Sequence, residues 1–317
     1  MLTSIRGLTA ASISAGVLLS AAPAFANETS IEPTAIESVS GAAANLDQSI
    51  SPELMIAAAN LADGEAVVNL SPEIERASEP VDKEASSGFL SEAGFTFSAN
   101  VALVTEYRFR GVDLSGSEIA IQGGFDVSHS SGFYAGTWAS SLDEDTVGYG
   151  STELDLYGGW SGNLTEGLST DVGFIAYTYP DAPDGEFDYY ELYGSLSFSL
   201  GPVSTTGGIA YAPSQDSLDF GAGTDDNLYL YTDVSVGIPT TPITLTGHLG
   251  YTDGSLTFTN DNDAFDWSIG AEANVFGPIT VGVAYIGIEG SPTLISQAFG
   301  LFNFTKDQVV GTISASF

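Results

Sequence analysis

The chain has 317 residues, with 41 Asp and Glu against 6 Lys and Arg, and no cysteine. That balance repels nucleic-acid phosphates and excludes nucleic acid as a partner. The missing cysteines exclude a disulfide scaffold, so an exported chain of this composition needs a large core or a closed barrel for its stability.

Residues 1–26 read as a secretory signal peptide. Arg6 supplies the positive start, residues 8–19 form an uncharged apolar run, and Ala24-Phe25-Ala26 is a small-x-small cleavage site. The run is too short for a membrane helix. Cleavage would remove Arg6 and leave 5 basic residues. Residues 27–92 are rich in Glu, Ala, Ser and Pro, with one aromatic, Phe89, and one short helical stretch at 52–61. They read as an acidic, flexible periplasmic segment rather than a lumen plug or a peptidoglycan contact, because they offer too little apolar material for a core.

From residue 93 the pattern changes. Phe95, Phe97, Ala99, Val101, Leu103, Thr105, Tyr107 and Phe109 share one parity, while Asn100, Glu106, Arg108 and Arg110 fall on the other. Side chains alternate across a strand, so one face suits lipid and the other carries charge. The run of 15 residues is long for a soluble strand and normal for a tilted membrane strand. The same alternation recurs near 118–128, 132–140, 152–160, 168–179, 188–200, 203–212, 227–238, 243–252, 265–275, 279–286 and 307–317. This predicts an all-β fold: a single antiparallel transmembrane barrel of about 12 strands over residues 93–317.

Short turns at 128–131, 161–167, 201–202, 239–242 and 277–278 alternate with longer links at 111–116, 141–151, 180–187, 213–226, 253–264 and 287–306. Short periplasmic turns and long extracellular loops are the asymmetry of outer-membrane barrels, whereas a soluble sandwich predicts shorter strands and no asymmetry. The aromatics Tyr107, Phe109, Phe133, Trp160, Tyr211, Tyr251 and Phe317 fall near predicted strand ends and are expected at the membrane interfaces. Val309, Gly311, Ile313, Ala315 and Phe317 share a face at the C-terminus. Phe317 is expected to serve as the assembly signal, by resemblance to outer-membrane proteins at large.

The inward parity gathers Glu106, Arg108, Arg110, Glu118, Asp126, Glu153, Asp155, Asp171, Glu191, Asp233, Asp266 and Glu272. Isolated buried charges are costly, so the two arginines are expected to pair with some of these acids. The result is either a charge network that stiffens the barrel or a constriction whose transverse field orients a passing solute. A barrel of this size lies between the side-chain-filled and the channel-forming classes.

Chemistry is harder to find. His129 falls in a predicted periplasmic turn and His248 on the inward parity. A catalytic Ser–His pair needs a third orienting group, and serine is too abundant here to point to one. Glu153 and Asp155 share a face but read as lumen acids. Asp143-Glu144-Asp145 and Asp261-Asn262-Asp263 lie in outer loops without EF-hand spacing, and read as solvated acids rather than metal sites. No enzyme, metal or cofactor is expected.

The stretch Asn100-Val-Ala-Leu-Val-Thr-Glu-Tyr-Arg-Phe-Arg-Gly111 resembles the opening strand of the TorF-type porin family, a proteobacterial outer-membrane family of otherwise unknown function. Gln122-Gly-Gly-Phe-Asp126, His129-Ser-Ser-Gly-Phe-Tyr-Ala-Gly-Thr-Trp138, Glu153-Leu-Asp-Leu-Tyr-Gly-Gly159 and Tyr177-Thr-Tyr-Pro180 are similar to it as well. The resemblance covers roughly residues 94–317, is dense in the first third, and does not extend to 27–92. It implies an outer-membrane barrel and a pore, and supplies no substrate. The expectation is a narrow, cation-leaning channel for passive diffusion of small solutes. The alternative is a non-transporting barrel that acts as an envelope scaffold or binds partners through its acidic loops. Expected partners are outer-membrane lipid and lipopolysaccharide, the barrel-assembly machinery and small solutes.

Overall fold

The computed structural model describes residues 93–144, 148–182, 187–219, 225–257, 259, 261–290 and 303–317. The signal peptide, the segment 27–92 and Asp145 lie outside the described residues.

The chain order is β1 (Phe95–Val104), β2 (Arg108–Phe109), β3 (Val112–Asp113), β4 (Ala120–His129), β5 (Phe133–Ser141), β6 (Thr152–Thr165) and β7 (Leu168–Thr178). It continues with β8 (Tyr189–Leu200), β9 (Val203–Ala212), β10 (Asn227–Gly237), β11 (Ile243–Gly254), β12 (Asp263–Phe276), β13 (Ile279–Glu289) and β14 (Gln308–Ser316). Twelve of these strands, β1 and β4 to β14, form a closed antiparallel meander in which each strand pairs with its sequence neighbours and β1 closes on β14. The predicted fold and the predicted order of strands are therefore present. The pair β2–β3 stands apart as a small two-stranded sheet.

Closure follows from hydrogen-bond accounting. An open edge in hydrocarbon leaves unpaired N–H and C=O groups, each costing several kcal/mol. Here the seam runs from Asn100 opposite Ser316 to Val104 opposite Thr312. Phe317 extends it by exchanging both backbone bonds with Ala99, at 2.9 and 3.1 Å. The terminal residue is thus part of the joint itself.

The outer surface is apolar where a soluble barrel would be polar. Phe97, Leu103, Phe125, Phe174, Leu192, Ile209, Leu249, Val283, Val309 and Ile313 all project outward and are exposed, with Ile269 reaching 69%. These residues come from strands all round the barrel, which is the apolar belt of a transmembrane β-barrel. An arginine at Leu249, near the middle of β11, is expected to cost about 2–4 kcal/mol at the bilayer midplane. Urea titration of barrels folded into liposomes checks it, with Leu249→Ile as the control. An unchanged midpoint for Leu249→Arg would show that this face does not meet lipid.

One end carries the tight turns at 130–132, 166–167, 201–202, 238–242 and 277–278, and the other carries the long links. The turn predicted at 161–167 is shorter than expected because β6 continues to Thr165. At the long-loop rim the Ser151 N–H, at 3.0 Å, and its hydroxyl both donate to Asp181 Oδ2. Those bonds hold the Asp181 carboxyl below the usual carboxylate range and tie two neighbouring links together.

A larger departure lies at the start. The predicted first strand ran to Phe109, but β1 ends at Val104. Residues 106–115 leave the wall, and every one of them is buried. Tyr107 and Phe109 are therefore not interfacial girdle residues: they lie inside the barrel. Phe133, Tyr211 and Phe317, by contrast, are exposed on the outer surface.

Candidate functional site

The segment 105–119 is a hairpin folded inward. Arg108 pairs with Asp113 and Phe109 with Val112, leaving Arg110-Gly111 as a two-residue turn. Both turn residues have positive φ, 49° for Arg110 and 81° for Gly111. Two successive left-handed residues define the type I′ turn whose twist suits a hairpin. Glycine takes that conformation freely, whereas arginine does so at a cost of about 1–2 kcal/mol. A side chain at Gly111 would press on Asp266 Cβ and Ile288 Cβ, at 3.0 and 3.1 Å, so the turn packs directly against β12 and β13.

The base of the hairpin is fastened locally. The Tyr107 N–H donates to Ser115 Oγ at 2.8 Å, the Leu114 N–H to the Tyr107 carbonyl at 2.9 Å, and the Ser115 N–H to Asp113 Oδ1 at 2.9 Å. Arg108 pairs with Glu106 and donates to the Gly111 carbonyl at 2.7 Å, bracing the turn from inside. Burial pushes the Glu106 carboxyl above its usual range, Arg108 pulls it part of the way back, and Asp113 adds to the rise. The Asp113 N–H donates to the Phe304 carbonyl at 3.0 Å, which docks the hairpin on the last long link.

Its outer contacts span the barrel. Tyr107 donates to Glu153 on β6 at 3.2 Å and tilts against Trp138 on β5, with ring centroids 5.6 Å apart. Phe109 meets Tyr177 on β7 edge-on, also at 5.6 Å. Arg110 Nη2 reaches both carboxylate oxygens of Glu191 on β8, at 2.9 and 2.7 Å. Its guanidinium carbon lies 4.4 Å from the ring centre of Tyr229 on β10 and 4.7 Å from that of Phe109. Burial works against the arginine charge, but Glu191 and its neighbours more than restore it, so the net shift is upward.

The wall around the hairpin is acidic and phenolic. Glu153, Asp155, Glu191 and Asp266 are buried, with Tyr177, Tyr189 and Tyr229 beside them. Asp155 shares this buried wall with Glu153 and Glu191. A second cluster abuts Tyr229. The His248 Nδ1 lies 2.7 Å from Asp233 Oδ1, and its Nε2 lies 2.9 Å from both Asp266 Oδ1 and the Tyr229 hydroxyl. The partners of His248 are thus two carboxylates and a phenol, with no serine among them. His129 meets Ser131 Oγ at 2.6 Å, a local turn contact at the exposed end of β4.

Nearer the short-turn end the lining changes. Ser98, Ser195, Thr206, Thr246, Ser268 and Ser314 face the interior and keep part of their surface exposed. Tyr157 donates to Asp126 and Tyr134 to Asp171, the latter at 2.6 Å. Several of these rings lie over a glycine directly opposite on the next strand, as with Tyr157 over Gly136 and Tyr231 over Gly208. The bare glycine leaves room for the ring to lie flat against the wall and keep clear of the axis.

The predicted lumen residues therefore divide. Asp126, Glu153, Asp155, Asp171, Glu191, Asp233, Asp266 and Glu272 lie on strands facing the interior. Glu106, Arg108 and Arg110 do not line the wall at all: they sit on the hairpin that crosses the lumen. Glu118 is exposed at the foot of that hairpin. The structure also adds Tyr107, Phe109, Trp138 and Tyr229 to the constriction. The Arg110-Gly111 pair followed by Gly116 was the available signal for a turn, hidden by an alternation that continues through it. Among the described residues no group of three or more His, Asp or Glu is arranged to hold a metal ion.

Residues 90–317 match the family model Gcw_chp, described as a bacterial protein of unknown function. No curated protein matches the chain. Among solved structures, the KdgM porin in complex with disordered oligogalacturonate aligns with a TM-score of 0.46 at 7% identity, over 69% of this chain and 98% of that one. The NanC porin gives 0.45 at 12% identity over 70% and 98%. An outer membrane channel from Pseudomonas putida F1 gives 0.42 at 14% identity over 78% and 99%. At these scores the likeness bears on neither substrate nor mechanism.

Proposed function

The chain belongs to this bacterial family of unknown function, and from that premise we propose that it is a narrow, cation-leaning outer-membrane pore for small solutes. The observation that carries the reading is the cross-section: an apolar belt outside, a partly exposed Ser/Thr lining toward the short-turn end, and a charged hairpin across the lumen at the long-link end. A side-chain-filled scaffold has no need of a partly exposed polar lining. A channel needs one, together with a constriction that sets what passes.

The sign of the selectivity follows from the wall. Asp126, Asp171, Asp233 and Glu272 line the path beyond the hairpin, while both arginines are held by Glu106 and Glu191. A cation is stabilised along such a path and an anion is repelled. Planar-bilayer recordings in a salt gradient are expected to give reversal potentials of cation sign. Anion-sign potentials, or an absence of single-channel steps from refolded protein, would overturn the reading.

The same reading assigns the barrel to the TorF-type porins and to the outer membrane of a Gram-negative bacterium, reached through a cleaved signal peptide and the barrel-assembly machinery. Phe317, locked to Ala99 at the seam, would serve in the assembled barrel as well as in its recognition. Divalent ions would bridge the acidic outer loops to lipopolysaccharide.

A further inference from the structure

Viewed from the wall, the surroundings of Arg110 form a receptor for a guanidinium. Tyr229 presents its ring face at 4.4 Å and Glu191 presents both oxygens to one nitrogen. Tyr177 donates to Glu191 Oε2 at 3.2 Å and fixes its orientation. An aromatic face with a carboxylate at its edge is the arrangement that recognises a planar, delocalised cation, because the face takes the charge and the edge takes the N–H groups. All three residues belong to the barrel. The cation they hold belongs to the hairpin, which is not part of the wall.

The fit of that cation is incomplete. Both bonds to Glu191 come from Nη2, and among the described residues neither Nε nor Nη1 has a hydrogen-bond acceptor, although both are buried. A guanidinium at its best gives a carboxylate two parallel bonds from two nitrogens. Arg110 also carries its side chain on a left-handed backbone that residues other than glycine seldom adopt. The tether thus holds the group in a position that it would not choose if free. An untethered guanidinium can turn its edge to Glu191, keep its face on Tyr229, and impose no backbone strain.

We propose that the Glu191–Tyr177–Tyr229 pocket is a binding site for guanidinium solutes, occupied at rest by Arg110 as a built-in competitor. Alkylguanidinium compounds displace Arg110, release the hairpin, and clear the lumen for their own passage. The passage step rests on the pore reading above; the binding step does not.

The test is calorimetry on the refolded full chain in detergent, with methylguanidinium as the probe and methylammonium as the comparison. Arg110→Ala empties the pocket, so methylguanidinium is expected to bind that variant several-fold more tightly than the unmodified chain. Arg110→Ala combined with Glu191→Gln is expected to lose the binding. Methylammonium, which lacks the planar fork, is expected to bind the Arg110→Ala variant more weakly than methylguanidinium does. Equal affinity in the unmodified and Arg110→Ala chains, or binding that survives Glu191→Gln, would overturn the proposal. Should Arg110→Ala not fold, hydrogen exchange on the unmodified chain decides: millimolar methylguanidinium should accelerate exchange at residues 106–115, and unchanged exchange rejects the site. Binding without channel steps in a bilayer would sink the pore reading alone, and channel steps without binding would sink this one alone.

Discussion

Replacing residues 106–115 with a short Gly/Ser link is expected to raise single-channel conductance several-fold. The hairpin meets β5, β6, β7, β8 and β10 through its side chains, and its turn reaches Asp266 and Ile288 on β12 and β13. An element that touches so many strands lies across the path. Its removal takes out two acids and two arginines, Glu106, Asp113, Arg108 and Arg110. The net charge is unchanged, but Glu153 and Glu191 lose their hairpin partners, Tyr107 and Arg110, and face water. Cation preference should therefore rise together with conductance, and the reversal potential should move further in the cation direction. Conductance that stays at the level of the full chain would mean that the hairpin is not the narrow point.

Glu191→Ala is the point substitution with the largest expected effect on stability. It leaves the Arg110 guanidinium buried without its carboxylate, and breaking one side of a buried pair costs about 3–5 kcal/mol. The cost has a ceiling, since the hairpin can swing out and let Arg110 reach water. Two signatures follow. If the hairpin stays docked, the urea midpoint in micelles falls by the equivalent of that cost. If it undocks, the fall is smaller and the amides of 106–115 exchange rapidly. Adding Arg110→Ala should restore most of the loss by either route, because the unpaired charge is then gone. A midpoint and exchange pattern equal to those of the unmodified chain would show that the ion pair does not hold the hairpin.

The lumen beyond the hairpin bears on both outcomes. Tyr157 over Gly136 and Tyr231 over Gly208 keep large rings pressed to the wall, so the acids Asp126 and Asp233 meet the lumen rather than a packed core. Opening the hairpin would then connect the outer loops to a lining that is already polar. This is why a change at one loop is expected to appear in conductance and not only in stability.

How far the site could be read beforehand differs from residue to residue. Glu153, Asp155 and Glu191 could be placed inside because parity along a strand is a local property, fixed by the pleat. Arg110 and Glu191 could not be matched, because they are 81 residues apart and meet only when β8 is brought round beside the hairpin. Tyr107 and Phe109 were assigned to the outside for an instructive reason. Their parity relative to Phe97 and Leu103 is unbroken, but the chain bends at 105–107 and parity then refers to a different surface. A period of two belongs to any extended strand, whether it stays in the wall or turns inward.

The amino-acid sequence alone determined the twelve-stranded meander, the order of its strands, the split between short turns and long links, and the face of most wall strands that meets water. All of these follow from alternation and turn residues acting over a few positions, and the mismatch between lipid and water leaves no other way to lay those strands down. Only the tertiary structure decided that residues 106–115 cross the lumen and that Arg110 rests against Tyr229 with its charge on Glu191. Those contacts join segments distant in the chain. They arise because closing the barrel sets β6, β8 and β10 around one cavity and leaves buried carboxylates there in need of a cation.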